Sequence, residues 1–172
     1  MKVSELMIRN VRSCAAENNL NRAAQLMWEG DCGALPVVGS DGTVIGMITD
    51  RDISMAAYTK GKPLTAIRVG DAMAKQVSTC SLESTLETAM SLMKEIRVRR
   101  LPVVDAQGKL AGILSLNDLA LEARKETKSG GRDLKSVDVA DTLGVICEHR
   151  QPGAVAAKPQ AKRAGELVGA RI

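Results

Sequence analysis

Two stretches of this chain set a hydroxyl three residues ahead of a carboxylate: Thr49 and Asp52 in GMITDRDI, and Ser115 and Asp118 in GILSLNDL. In each, an apolar run ends at the hydroxyl and a helical pattern starts beyond it. A helix start offers unpaired N–H groups and a partial positive charge, a natural seat for a phosphate. The hydroxyl can donate to a phosphate oxygen or accept from a capping N–H. The carboxylate can accept from ribose 2′- and 3′-hydroxyls, as an acidic residue does in dinucleotide-binding folds. The same spacing is also that of a capping box, which stabilises a helix and binds nothing. Its recurrence at two equivalent junctions favours binding.

Neighbouring residues add to each junction. Arg51 precedes Asp52 and reads either as a bidentate phosphate ligand or as an exposed helix arginine. The second stretch has the neutral Asn117 there, but Arg99 and Arg100 stand before its LPVV, where the first has Gly33 and Ala34. Gly46 and Gly112, three residues before each hydroxyl, leave room for a backbone approach or close strand packing. Walker loops, GxGxxG, HExxH and GxSxG strings are missing from the sequence. The single histidine, His149, lies two residues after Cys147, too sparse a pair for a zinc site. The expectation is therefore a binding protein without a catalytic or metal centre.

The elements that position these residues come from a duplication. Shifted by 66 residues, Val3 to Thr59 aligns with 69–125 without a gap, with 18 identities in 57 positions. LPVV recurs at 35–38 and 101–104. Each copy reads as a short strand (Val11–Cys14, Val77–Cys80), a helix, two strands and a second helix starting at Asp50 or Leu116. The first helices carry Leu20, Ala23, Ala24 and Met27, or Leu86, Ala89, Met90 and Met93, at helical spacing. Asn18 and a Ser84–Glu87 capping box are their expected starts. The fold class is thus α/β (α+β), two tandem β-α-β-β-α repeats about a pseudo-twofold axis. Half of it, about 60 residues, is marginal alone. Apolar helix faces left over after pairing point to a homodimer.

Residues 1–61 and 62–126 are the two repeats, 127–149 hold a short helix, and 150–172 form a flexible basic tail. Leu134, Val137, Leu143 and Ile146 supply the apolar contacts expected of that helix. The chain has 172 residues, 45% of them hydrophobic, with 24 basic and 20 acidic side chains. Five of the basic residues (Arg150, Lys158, Lys162, Arg163, Arg171) and one acid, Glu166, lie from Arg150 onward. Residues 1–149 therefore hold 19 of each sign, and only the tail attracts polyanions. Phe is absent and Trp28 and Tyr58 are the only aromatics, which disfavours a base-stacking nucleic-acid surface. Apolar runs fall well short of the roughly 18 residues of a membrane span. MKVSELMIRN lacks the apolar core of a signal peptide, and Cys14, Cys32, Cys80 and Cys147 show no CxxC pairing. A cytoplasmic protein with reduced thiols is expected.

The order M…V…C…helix…LPVV..DG..(I/L)G.(I/L)(T/S)..D, present twice over about Val3 to Lys125, resembles the cystathionine-beta-synthase (CBS) domain. Two copies make a Bateman module. The resemblance implies two clefts between the copies that take adenosine-containing ligands (AMP, ADP, ATP or S-adenosylmethionine), and regulation of a partner or attached protein. Under that reading the base lies between aliphatic walls: Ala34, Pro36 and Ile48 in one copy, Leu101, Pro102 and Leu114 in the other. Ser13 and Thr79 offer hydrogen bonds to its edge, and Arg100 reaches the phosphates of either cleft. The competing readings are an interaction scaffold with unoccupied clefts and nucleic-acid binding through the tail.

Overall fold

The computed structural model describes residues 1–129 and 134–148; His149 and the basic tail lie outside them. In chain order the elements are α1 (Val3–Leu6), β1 (Cys14–Ala15), α2 (Leu20–Glu29), β2 (Ala34–Val38), β3 (Val44–Thr49) and α3 (Asp50–Lys60). Two 3₁₀ turns follow, Leu64–Ala66 and Val69–Asp71. Then come β4 (Cys80–Ser81), α4 (Leu86–Ile96), β5 (Arg100–Val104), β6 (Leu110–Ser115), α5 (Leu116–Ser129) and α6 (Ser136–Cys147). The tandem β-α-β-β-α order is the expected one.

The chain forms two compact units. Asn10–Val77 with Ala106–Leu110 make one, here the Thr49 unit. Met1–Arg9, Ser78–Asp105 and the described residues from Ala111 onward make the other, the Ser115 unit. In the Thr49 unit the sheet order is β1-β2-β3, with β1 parallel to β2 (Cys14 opposite Val37) and β2 antiparallel to β3 (Leu35 opposite Ile48). Because β1 reaches only Val37 and Val38, Pro36 sits where β2 has a strand neighbour on one side, and its missing N–H breaks no ladder there. Alternation sends Leu35, Val37 and Ile48 to the helix side. There they meet Leu20, Ala23 and Met27 of α2 and Ile53 and Ala56 of α3. The Ser115 unit repeats this with β4-β5-β6 and a core including Leu86, Ala89, Met93, Leu101, Leu114 and Leu119.

Both short strands fall later than expected, at Cys14–Ala15 and Cys80–Ser81. The caps of the first helices likewise fall one residue after the expected ones. Asn19 accepts from the Arg22 N–H (2.9 Å) and Thr85 from the Thr88 N–H (3.1 Å). Asn18 and Ser84 instead close the turn behind β1 and β4, accepting from the N–H of Ala15 (2.9 Å) and Ser81 (3.2 Å). Two cap-competent residues stand side by side, and the first is taken by the turn.

The compact units cross the repeat boundary. Met1–Arg9 opens the first repeat yet packs in the Ser115 unit, where Ile8 and Ile113 exchange backbone hydrogen bonds of 2.9 and 3.0 Å. Ala74, from the opening segment of the second repeat, pairs with Met47 in the Thr49 unit at 2.8 and 3.0 Å. These crossing segments explain the paired glycines. A Cβ at Gly46 would lie 2.8 Å from the Ala74 carbonyl oxygen and the Met73 sulfur, and one at Gly112 would lie 2.7 Å from Ile8 O and the Met7 sulfur.

The C-terminal helix α6 packs on α4 and α5. Leu134, Val139 and Thr142 are buried and Ile146 partly so, whereas Val137 (66% exposed) and Leu143 (44%) face solvent. The expected apolar set is thus corrected at Val137 and Leu143. Thr142 tolerates burial because its hydroxyl donates to Asp138 O at 2.7 Å. Among the described residues no helix is long and apolar enough to cross a membrane.

Cys14 and Cys80 occupy equivalent core positions, and burial pushes their thiols up to about 11 and about 12. Thiolate is the reactive form, so iodoacetamide at mildly alkaline pH is expected to label Cys32 and Cys147 in the folded protein, and Cys14 and Cys80 only after unfolding. Peptide mapping by mass spectrometry reads the order. Gly46→Ala and Gly112→Ala are each expected to lower unfolding stability in urea by about 1–3 kcal/mol through overpacking. Gly144→Ala, in α6 with nothing within 4 Å of the added carbon, is expected to be neutral or to stabilise by up to about 1 kcal/mol.

Candidate functional site at the strand–helix junctions

Thr49 ends β3 in extended conformation (φ −119°, ψ 163°) and serves as N-cap of α3. Oδ2 of Asp52 accepts from the Thr49 N–H at 2.9 Å and from its hydroxyl at 2.7 Å, while Thr49 Oγ1 accepts from the Asp52 N–H at 3.2 Å. The other junction repeats this. Asp118 Oδ2 accepts from the Ser115 N–H (2.8 Å) and hydroxyl (2.6 Å), and Ser115 Oγ accepts from the Asp118 N–H (3.3 Å). Both capping boxes are complete without a ligand. Each leaves Oδ1 of the aspartate with no hydrogen bond among the described residues. Both carboxylates are half-buried.

The remaining donors of the first turn differ between the junctions. In α3 the Asp50 N–H donates to Gly33 O (3.1 Å) and the Arg51 N–H to Asp50 Oδ1 (2.7 Å), so with Asp52 the first three amides are occupied. In α5 the Leu116 N–H donates to Arg99 O (2.9 Å), while the Asn117 N–H has no partner among the described residues. The expected set of free helix-end amides is therefore corrected: the Thr49 junction has none in its first three positions, and the Ser115 junction has one. The hydroxyl protons of Thr49 and Ser115 are likewise committed to the carboxylates.

Charge distinguishes the junctions further. The start of α3 carries Asp50 and Asp52 against Arg51, whose exposed guanidinium forms no ion pair among the described residues. The Ser115 junction has the single acid Asp118 against Arg99 and Arg100, tied to it through the Leu116–Arg99 bond. Arg100 is half-buried at the first position of β5, without an ion pair among the described residues. Formal side-chain charge is thus net positive at the Ser115 junction and net negative at the Thr49 junction.

The wall residues divide. Ala34 lies opposite Thr49 in the β2–β3 register and Pro36 opposite Met47. Continuing the β1–β2 and β4–β5 registers by one residue sets Ser13 beside Pro36 and Thr79 beside Pro102. Thr79 is 9% exposed, and its hydroxyl makes no hydrogen bond among the described residues. These residues stay together on the face of Thr49 or Ser115. Ile48, Leu101 and Leu114 do not: each is fully buried within a helix-side core. Counting alternation back from Thr49 and Ser115 puts Ile48 and Leu114 on the opposite face from the hydroxyls, so their place as walls is corrected. The same count brings in half-buried Met47, absent from the expected set.

Among the described residues no group of three or more His, Cys, Asp or Glu is placed to hold a metal ion. The Cys147–His149 pair includes a residue outside the description.

Comparison with known proteins bears on this geometry. The CBS domain family profile matches residues 3–58 and again 69–125. The Bacillus subtilis protein YlbB is 32% identical over 130 residues, 75% of this chain and 86% of the relative. The CBS domain-containing protein YhcV of the same organism is 34% identical over 128 residues, covering 74% and 89%. Among solved structures, CBSX2 in complex with AMP superimposes with a TM-score of 0.62 at 30% identity, covering 74% of this chain and 98% of that one. Two profile matches in tandem, set on the observed repeat fold, place this chain in the CBS domain family as a paired, Bateman-type module.

Proposed function

We propose that this chain is a cytoplasmic regulatory module that binds an adenosine-containing ligand at its strand–helix junctions, with the phosphorylated ligands AMP, ADP or ATP preferring the Ser115 junction. The carrying observation is the second carboxylate oxygen. Oδ2 of Asp118 holds the helix start, and Oδ1 is left to accept from a ribose hydroxyl without undoing the cap. Arg100, Arg99 and the Asn117 N–H supply the donors that a phosphate requires. The unpartnered Thr79 hydroxyl, beside Pro102, is the polar group that meets the base edge. The AMP complex of CBSX2 supports the ligand class.

The Thr49 junction, with two acids against Arg51 and its first amides occupied, suits an adenosine ligand without phosphates, S-adenosylmethionine among the four. Ser13, Ala34, Pro36, Thr49, Arg51 and Asp52 form that site. The protein adds no bond-making step. Ligand free energy shifts an equilibrium between conformations in proportion to its differential affinity, and a second copy or a bound protein responds. The competing reading, a scaffold whose junctions bind nothing, has in its favour that both capping boxes are complete unaided.

Thermal melts with AMP, ADP, ATP and S-adenosylmethionine separate the two. A ligand at about one hundred times its dissociation constant adds about 2.7 kcal/mol of stability. Asp52→Ala and Asp118→Ala are each expected to lose about 1 kcal/mol without ligand, from the broken cap. Asp118→Ala is expected to abolish the upward shift by adenine nucleotides, while Asp52→Ala keeps it. Melts unmoved by all four at millimolar concentration would favour the scaffold, and an undiminished AMP shift in Asp118→Ala would place the ligand elsewhere.

A further inference from the structure

An open cavity of about 440 Å³ lies in the Thr49 unit, lined by residues of α2, the 31–33 loop and the start of α3. Buried Met27 and Ile53 form its apolar floor, exposed Trp28 and Asp31 also line it, and Asp50 adds a second carboxylate. Trp28 is 88% exposed. The internal repeat shows what such a groove is for. Displaced by 66 residues, these positions become Met93, Leu119, Lys94, Arg97 and Leu116 of the Ser115 unit. There the groove is filled, because α6 packs on α4 and α5. Val139 joins the core that holds Met93, Leu116 and Leu119. Lys94 pairs with Asp141 at 3.1 Å and Arg97 with Glu148 at 2.9 Å.

The Thr49 unit keeps the apolar floor and reverses the rim. Trp28 and Asp31 replace the two cations that hold α6, and Asp50 replaces an apolar leucine. A helix with the charges of α6, seated alike, would set its two acids against Trp28 and Asp31, with Asp50 where α6 meets Leu116. A helix with cations at those positions would meet the Trp28 indole and the Asp31 carboxylate, with the Asp50 carboxylate also lining the groove. We propose that the α2–α3 groove docks an amphipathic helix of a partner protein, seated as α6 is on α4 and α5, with Lys or Arg where α6 has Asp141 and Glu148. This deepens the regulatory reading by naming the kind of partner that receives the signal, while the groove itself stands whether or not a nucleotide binds.

Trp28, the only tryptophan, is the reporter. The probes are two lactam-bridged peptides of residues 134–148, one with the native charges and one carrying Asp141→Lys and Glu148→Lys. The bridge fixes the helix, so its folding cost does not mask binding. The basic peptide is expected to shift Trp28 emission to the blue and to bind about tenfold more tightly than the native one. Asp31→Arg is expected to reverse that preference. The backbone tolerates it, since Arg97 holds the same left-handed conformation (φ 53°) as Asp31 (φ 46°). Equal binding of both peptides, or no shift from either up to about 1 mM, would overturn the proposal. So would Trp28 emission that moves with protein concentration alone, in step with dimerisation, because a second copy would then be the occupant. Peptide results leave the nucleotide reading untouched, which the melts decide separately.

Discussion

In both units one oxygen of an aspartate closes the first turn of a helix by accepting from the N–H and the hydroxyl of the residue that ends the preceding strand. This pair of bonds fixes the helix axis against the strand end and fixes the carboxylate plane with it. A carboxylate held by one oxygen presents the other in a set direction, so no reorganisation is needed when a hydroxyl arrives. In the proposed function the local cap and the ligand acceptor are thus one group doing two jobs with two atoms. What differs between the junctions is the surrounding charge and the number of spare donors, and on the proposed reading these separate a site for anions from one for uncharged or cationic ligands.

The exchanged segments hold the sheets that carry these junctions. Ile8 against Ile113 and Ala74 against Met47 extend each three-stranded sheet beside its last strand, at the residue after each glycine and two before each hydroxyl. The approach is close enough that only glycine fits at 46 and 112. Each crossing segment also delivers a methionine, Met73 or Met7, whose sulfur lies over the glycine. Strand ends, helix starts and the crossing backbone are therefore set by the same contacts, and a methyl group at either glycine disturbs all three.

Much of this was legible in the residues. A 66-residue displacement exposes the duplication, and the spacing of Thr49 to Asp52 and Ser115 to Asp118 states the capping geometry in full. Strands β3 and β6 and the starts of α3 and α5 follow from apolar runs ending at a cap. The exchange of Met1–Arg9 was not legible, because an apolar segment pairs equally well with either sheet until three-dimensional closure selects one. Asn18 beside Asn19, and Ser84 beside Thr85, each offer two caps, and only the turn before them decides which is used. Ile48 and Leu114 belong to the core and not to a ligand wall, as strand alternation from the neighbouring hydroxyl already marks. In α6, a buried threonine at 142 displaced Leu143 from the interior, since a hydroxyl satisfied by its own helix packs as a small apolar group.

The asymmetry between the repeats carries the functional account. Lys94 and Arg97 recruit α6 on one side, while Trp28 and Asp31 leave the matching groove open on the other. Arg99 and Arg100 favour phosphate at one junction, while Asp50 disfavours it at the other. The most direct test of the central claim is a crystal structure of the protein soaked with AMP. The account predicts ribose hydroxyl density within hydrogen-bonding distance of Asp118 Oδ1, with Oδ2 still on Ser115 and the phosphate against Arg100. Density that leaves Asp118 Oδ1 facing only solvent, with AMP bound elsewhere or not at all, would contradict it.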